Sequence, residues 1–170
     1  MAKPFKVTSD PFYINGNITM DVANTYKQIQ ISSPLDSLNR EGLLVHAVYW
    51  TSSTPELIAA AQSRVLMQLT ATSKAALVGV NDANVLSLRE VQITGGALEF
   101  SGPHVIDIVQ NTDSWDEDSR LGIVATDDLF LGIDTTAHAG LGSCQFRAVC
   151  SRIQLTSSAY AALVTNELSS

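Results

Sequence analysis

The sequence predicts an all-β fold, an antiparallel sandwich of two sheets in jelly-roll order. Three observations predict it. Short β-branched and apolar runs recur between Gly, Asn and Asp turns, giving roughly nine to eleven strands at the spacing of a sandwich or barrel. No strand–helix–strand alternation appears, which argues against a parallel sheet with crossover helices. The length, 170 residues, fits a single domain over 1–170 and exceeds the usual immunoglobulin-like sandwich, so the jelly roll is preferred.

Taken in order, Phe12–Ile14 and Ile18–Met20 flank Asn15-Gly16-Asn17, and Asn-Gly is a strong hairpin signal because both residues accept the positive φ of a type I′ turn. Thr25–Ile31 alternates, with Ile29 and Ile31 on one face and Gln28 and Gln30 on the other. After a polar stretch over Pro34–Gly42, Leu43–Thr51 is apolar on both faces, as a strand covered on both sides would be. Thr54-Pro55-Glu56 has the chemistry of a helix start: a threonine cap, proline in the first turn and an acid beside it. A short helix over 55–62 is expected there.

Arg64–Ala71 resumes the β pattern, and Thr72–Asn84 reads as a loop containing an Asn81-Asp82 turn. Val85–Thr94 is a strand, with Gly95-Gly96 as a tight turn into Ala97–Ser101, and Gly102-Pro103 breaks the chain before His104–Val109. An acidic loop, Gln110–Arg120, precedes Leu121–Thr126. Asp127-Asp128 then reads as the turn of a hairpin into Leu129–Asp134. Thr135–Ser143 is rich in Gly and Ala, Cys144–Leu155 is the longest strand, and Tyr160–Leu168 closes the chain as an extension or a short helix.

Composition narrows the function classes. The chain carries 10 Lys+Arg against 17 Asp+Glu, a net charge of -7, which disfavours non-specific phosphate binding through counterion release. Met1–Asp10 holds only Lys3 and Lys6, so no basic arm for nucleic acid is read there. No run approaches the ~20 apolar residues of a membrane-spanning helix, and the start lacks the apolar core of a signal peptide. Asn17-Ile18-Thr19 fits a glycosylation acceptor and, without a leader, reads as chance. The hydrophobic share of 45% and the charged share of 16% suggest that partners cover some apolar surface.

Catalytic patterns do not emerge, and the reading is a protein that is not an enzyme. Ser143 follows Gly140-Leu141-Gly142, but a nucleophile elbow needs Gly-x-Ser-x-Gly between a strand and a helix. Gly95-Gly96 joins two strands instead of opening a helix, so it is no phosphate loop. His46, His104 and His138 lie in separate segments without metal-ligand spacing, and no Cys-x-x-Cys occurs. Cys144 and Cys150 share one strand at an even spacing. At ~3.3 Å per residue their Cα atoms stand about 20 Å apart, whereas a disulfide needs about 7 Å or less, so both are expected to be buried free thiols.

The stretch from Asp113 to Asp118 carries Asp113, Asp116, Glu117 and Asp118 around Trp115. It reads either as a solvated loop or as a set of hard oxygen ligands for calcium from Asp113, Asp116 and Asp118, although the spacing is not that of an EF-hand. Otherwise no cofactor is expected. Trp115 is an anchor at a protein interface, a stacking platform for a sugar ring, or a residue folded onto the sandwich edge.

The runs beginning at Val48 (VYWTSSTPELI), Arg64 (RVLMQLT), Leu121 (LGIVATDDLFLGID) and Phe146 (FRAVCSRI) resemble small single-jelly-roll capsid proteins of tailless environmental viruses. The likeness covers most of the chain in spacing and character, and no piece of it is a diagnostic motif. It implies a structural subunit of a virus or virus-like shell, made in the host cytoplasm and found in the virion. Such a subunit contacts copies of itself, and other shell proteins, through loops and termini. Trp115, Arg120, Arg152, Pro55 and Glu56 are the candidate interface residues, with the arginines as partners for the acidic loop. The reading from a different class is a carbohydrate-binding β-sandwich that uses calcium.

Overall fold

The structure, a computed structural model, describes residues 4–36, 39–59, 61–95, 104–109 and 121–168. Its strands are β1 (Phe5–Val7), β2 (Phe12–Thr19), β3 (Lys27–Ser32), β4 (Glu41–Ser52), β5 (Gln62–Thr70), β6 (Val85–Thr94), β7 (His104–Val109), β8 (Gly122–Val124), β9 (Asp128–Thr136) and β10 (Ser143–Leu155). A single helix among the described residues, α1 (Ser157–Leu168), follows them. All the pairings are antiparallel, in two five-stranded sheets. In sheet A, β10 is flanked on one edge by β2 and then β1, and on the other by β4, which pairs with β8; sheet B runs β3-β9-β5-β6-β7. The expected all-β, two-sheet sandwich is what the chain forms.

Period-two alternation builds the core between the sheets. Sheet A contributes Leu43, Val45, Val48 and Trp50 from β4 and Cys144, Phe146, Ala148 and Cys150 from β10; sheet B contributes Val65, Met67 and Leu69 from β5 and Leu129, Leu131 and Ile133 from β9. Each Val, Leu, Ile, Met or Phe among them, once buried, stabilises the fold by about 1.5–3 kcal/mol against chain entropy. The core-facing parity of β4 switches from odd to even because Val149 pairs with Ala47 while Cys150 pairs with Val45, leaving His46 as an extra residue. This bulge is why the run LLVHAVYW alternates so poorly. His46 Nε2 lies 2.9 Å from Ser151 Oγ across the strand pair, and burial pushes its pKa down.

Three expected elements are corrected. The hairpin at Asn15-Gly16-Asn17 does not form: β2 runs straight through it, paired with β10 from Thr19↔Ser143 to Phe12↔Cys150. Gly16 serves close approach instead of a turn, since a Cβ there would collide with Ile31 Cδ1 and come within 2.6 Å of Phe146 Cε1. The helix over 55–62 is also absent among the described residues: 53–59 and 61 are irregular apart from an Ala61 N–H to Ile58 carbonyl bond of 3.2 Å. A helix this short does not outweigh its own nucleation cost, and Glu56 is drawn away to another loop, described below. The helix found among the described residues is α1, where an extension or a short helix was expected.

Third, Asp127-Asp128 is not a hairpin turn. β8 pairs with β4 in sheet A and β9 with β3 and β5 in sheet B, so the chain crosses between sheets there. The expected strand Ala97–Ser101 lies outside the described residues; β6 pairs with β7, from Thr94↔His104 to Arg89↔Val109.

Cys144 and Cys150 are free and buried on the core face of β10, and burial pushes both thiols up to about 12. A thiol so held is neither ionised nor reachable. The native protein is expected to take up no thiol-alkylating reagent and the denatured protein to take up one at each cysteine, with no intrachain loss of two hydrogens by mass. Rapid labelling of the folded chain would contradict the placement of β10.

Candidate interaction surfaces

The outward face of sheet A is divided in two. Along one half α1 covers it: Ala159, Tyr160, Leu163 and Val164 pack on Leu44, Ala125, Ile153 and Leu155. The helix is fastened at its far end by Glu167, only 5% exposed, whose Oε1 and Oε2 accept from the amides of Ala125 and Thr126, each at 2.9 Å. Burial pushes this carboxyl up, against the lowering effect of the bonds it accepts.

The other half of the face is open. Alternation on β2, β4 and β10 turns Ile14, Val48, Phe146 and Ala148 inward and leaves the odd-numbered residues outside. Tyr13 is 63% exposed and Tyr49 43%. Between them, Arg147 places its guanidinium carbon 5.3 Å from the centroid of the Tyr13 ring and donates from Nε to Asn15 Oδ1 at 3.2 Å. The pairing lays out two cross-strand rows, Asn15–Arg147–Tyr49 and Asn17–Gln145–Thr51. Together they line a shallow depression of about 950 Å³.

A second surface lies at the end of the sandwich, where three loops are tied together. Asn24, held at φ 58°, accepts at Oδ1 from the His138 amide at 2.9 Å and donates from Nδ2 to the His138 carbonyl at 3.0 Å. Glu56 reaches the same loop: its Oε2 accepts from the Ala139 amide at 3.0 Å and its Oε1 from the Gly140 amide at 3.1 Å. His138 is buried, with Nδ1 3.0 Å from the Gly140 carbonyl. These bonds leave Val22, Leu57 and Leu141 exposed, one on each loop.

The outward face of sheet B is covered in part by the loop 71–84. Gln68, fully buried, donates to the Tyr26 hydroxyl at 2.8 Å and accepts from the Val78 amide at 2.9 Å. The Asn81-Asp82 turn forms as expected, fixed by an Asp82 N–H to Gly79 carbonyl bond of 3.0 Å and an ion pair from Lys74 to Asp82 at 2.9 Å. The Lys74 bond holds the Asp82 carboxyl below its ordinary value.

The structure separates the residues singled out from sequence. Trp115, Arg120, Asp113, Asp116 and Asp118 lie outside the described residues. Pro55 is buried, and Glu56 is engaged within its own chain. Arg152 is half-buried, its guanidinium 6.0 Å from the centroid of the Phe12 ring. Ser143 opens the strand β10, not a helix. Among the described residues, no group of three or more His, Cys, Asp and Glu side chains could hold a metal ion, and no helix is long and apolar enough to cross a membrane. Sequence reasoning missed Tyr13, Tyr49 and Arg147. The signal was there in the parity of β2, where Tyr13, Asn15 and Asn17 alternate with Ile14, Gly16 and Ile18.

Neither a scan against protein-family models nor a search of curated proteins gave a match to this chain.

Proposed function

We propose that the chain is a structural subunit of a virus or virus-like shell, folded as a single jelly roll and assembling with copies of itself. The observation that carries this reading is the nesting of the strand pairs. β5 pairs with β6, β4 with β8, β3 with β9 and β2 with β10, so each pair encloses the one before it. Wrapping such a nested hairpin places β2-β10-β4-β8 in one sheet and β3-β9-β5-β6 in the other, the arrangement expected of two interlocked Greek keys. That architecture serves shell proteins and lectins alike, so the choice between them rests on the surfaces.

The shell reading is supported by the loop end, where three connections are bonded into one platform that presents Val22, Leu57 and Leu141. Single exposed apolar residues are common, but a set on loops fixed to one another suits a contact with a neighbour. With a net charge of -7, direct genome binding falls to a partner protein. The acidic stretch around Trp115 supplies a second contact, with Arg120 or Arg152 of a neighbouring copy, or calcium, offsetting the repulsion between its carboxylates.

Purified protein is expected to form large closed particles by size exclusion and electron microscopy. High salt loosens them if arginines bridge the acidic stretch, and a chelator does so if calcium does. Protein that stays monomeric at high concentration, with Trp115→Ala changing nothing, overturns the proposal.

A further inference from the structure

We infer that the open half of sheet A is a calcium-independent binding face for a neutral, hydroxyl-rich ligand, a short oligosaccharide. The inference rests on this face alone and holds whether or not the chain assembles.

Charge is the first constraint on the ligand. The chain has 17 Asp+Glu, yet among the described residues none that lines the depression is acidic, and Arg147 is the one charged group there. That arginine is already held by the Tyr13 ring and by Asn15 Oδ1. A polyanion would need several free cations to offset the field of a protein at -7, and this face offers one, partly engaged. A neutral ligand meets no such penalty.

Hydrogen-bonding character narrows the ligand further. Asn17 and Gln145 face each other across β2 and β10, and each amide carries an acceptor oxygen and a two-proton donor nitrogen. A phosphate ester only accepts, so it would strand the amide oxygens of this face. A sugar hydroxyl both donates and accepts, and vicinal hydroxyls offer the pattern in pairs. The tyrosines complete the match. Tyr13 and Tyr49 sit two strands apart and two residues out of step in the register, which at ~4.8 Å between strands and ~3.3 Å per residue sets their Cα atoms about 12 Å apart. Tyr49 and Tyr13, the latter with the Arg147 guanidinium over one side of its ring, offer exposed aromatic surface beside the polar rows, a combination suited to the flat apolar face of a pyranose ring with its hydroxyls at the edge. The strands fix the backbones of all these residues before any ligand arrives, which lowers the ordering cost of binding.

The test titrates the full chain with a panel of short neutral oligosaccharides, with chelator present, and in parallel with a single-stranded oligonucleotide. At least one oligosaccharide is expected to bind and the oligonucleotide not. Tyr13→Ala and Tyr49→Ala are each expected to weaken that binding roughly tenfold, and the double variant to abolish it. Both side chains are exposed, so circular dichroism should show the fold intact in each variant. Trp115→Ala should leave binding unchanged, which separates this face from a site in the acidic stretch.

The inference is overturned if no member of the panel binds, if binding disappears with the chelator, if the double variant binds as well as the parent, or if the oligonucleotide binds through the tyrosines instead. Failure to form particles would remove the shell reading and leave this one standing. Sugar binding by monomers and particles alike would support both.

Discussion

Trp50→Ala is expected to cost about 3–5 kcal/mol of folding stability, the range for deleting a large buried aromatic side chain. The indole is 8% exposed and lies at a tilt of 47° to the Phe146 ring, with centroids 6.0 Å apart. Its Nε1–H donates to Ser87 Oγ at 2.8 Å, a buried bond from β4 in sheet A to β6 in sheet B. Alanine would therefore open a cavity and leave a buried hydroxyl without its donor. A phenylalanine at the same position keeps most of the packing and loses the bond, so Trp50→Phe should cost less, about 1–3 kcal/mol. Denaturant unfolding of the two variants checks the order. Since domains are stable by only about 5–15 kcal/mol, an alanine variant that unfolds at the parental midpoint would show that the indole does not bridge the sheets.

Glu167→Ala should produce the second largest effect. It removes both acceptors from the amides of Ala125 and Thr126, and a buried donor left unpaired costs about 1–3 kcal/mol. Release of the end of α1 would uncover Leu44, Ala125, Ile153 and Leu155, so binding of a hydrophobic dye should rise with the loss of stability. The pH dependence has a definite sign. Burial raises the carboxyl in the folded state above its ordinary 4.5. Its contribution is therefore fullest below 4.5 and is lost as pH rises through the folded value. His46 behaves oppositely: burial lowers it from 6.5, so its contribution is present above 6.5 and is lost as pH falls through its folded value. Glu167→Gln resembles the protonated carboxyl, and its stability relative to the parent should improve as pH rises from 4.5. A difference that stays flat with pH would mean that the carboxyl is not buried as described.

Much of the framework was legible because local chemistry and burial agree in those segments. Val85–Thr94 and His104–Val109 form strands with the bounds expected from their turn residues, and β4, β5, β9 and β10 depart from expectation by one or two residues at an end. The errors fall where one local signal serves two purposes. Asn15-Gly16-Asn17 has turn chemistry, but the glycine answers to the Phe146 ring packed against it. Thr54-Pro55-Glu56 has capping chemistry, but Glu56 caps the amides of Ala139 and Gly140, more than eighty residues away. Asp127-Asp128 bends the chain as expected, and nothing local distinguishes a bend within a sheet from one between sheets.

The candidate face was hidden for the same reason. Once β2 is divided into a hairpin, Tyr13 falls on a strand and Asn15 and Asn17 in its turn, and the face they form with β10 cannot be drawn. His46 conceals β4 in a similar way, because one inserted residue exchanges the two faces of the strand halfway along.

The nested pairing also has a consequence for biosynthesis. The innermost pair, β5 with β6, closes over the loop 71–84, while the outermost joins Phe12–Thr19 to Ser143–Cys150. The strand between β2 and β4 in sheet A thus leaves the ribosome after every other strand among the described residues. Until it does, the two strands it will separate present unpaired backbone to water. Long-range closure of this kind is slow, and such species are prone to self-association. A ribosome that stops short of β10 would therefore release a product with sheet B largely in place and sheet A open. Such truncated chains should collect in the insoluble fraction, since completion of β10 is the step that closes sheet A.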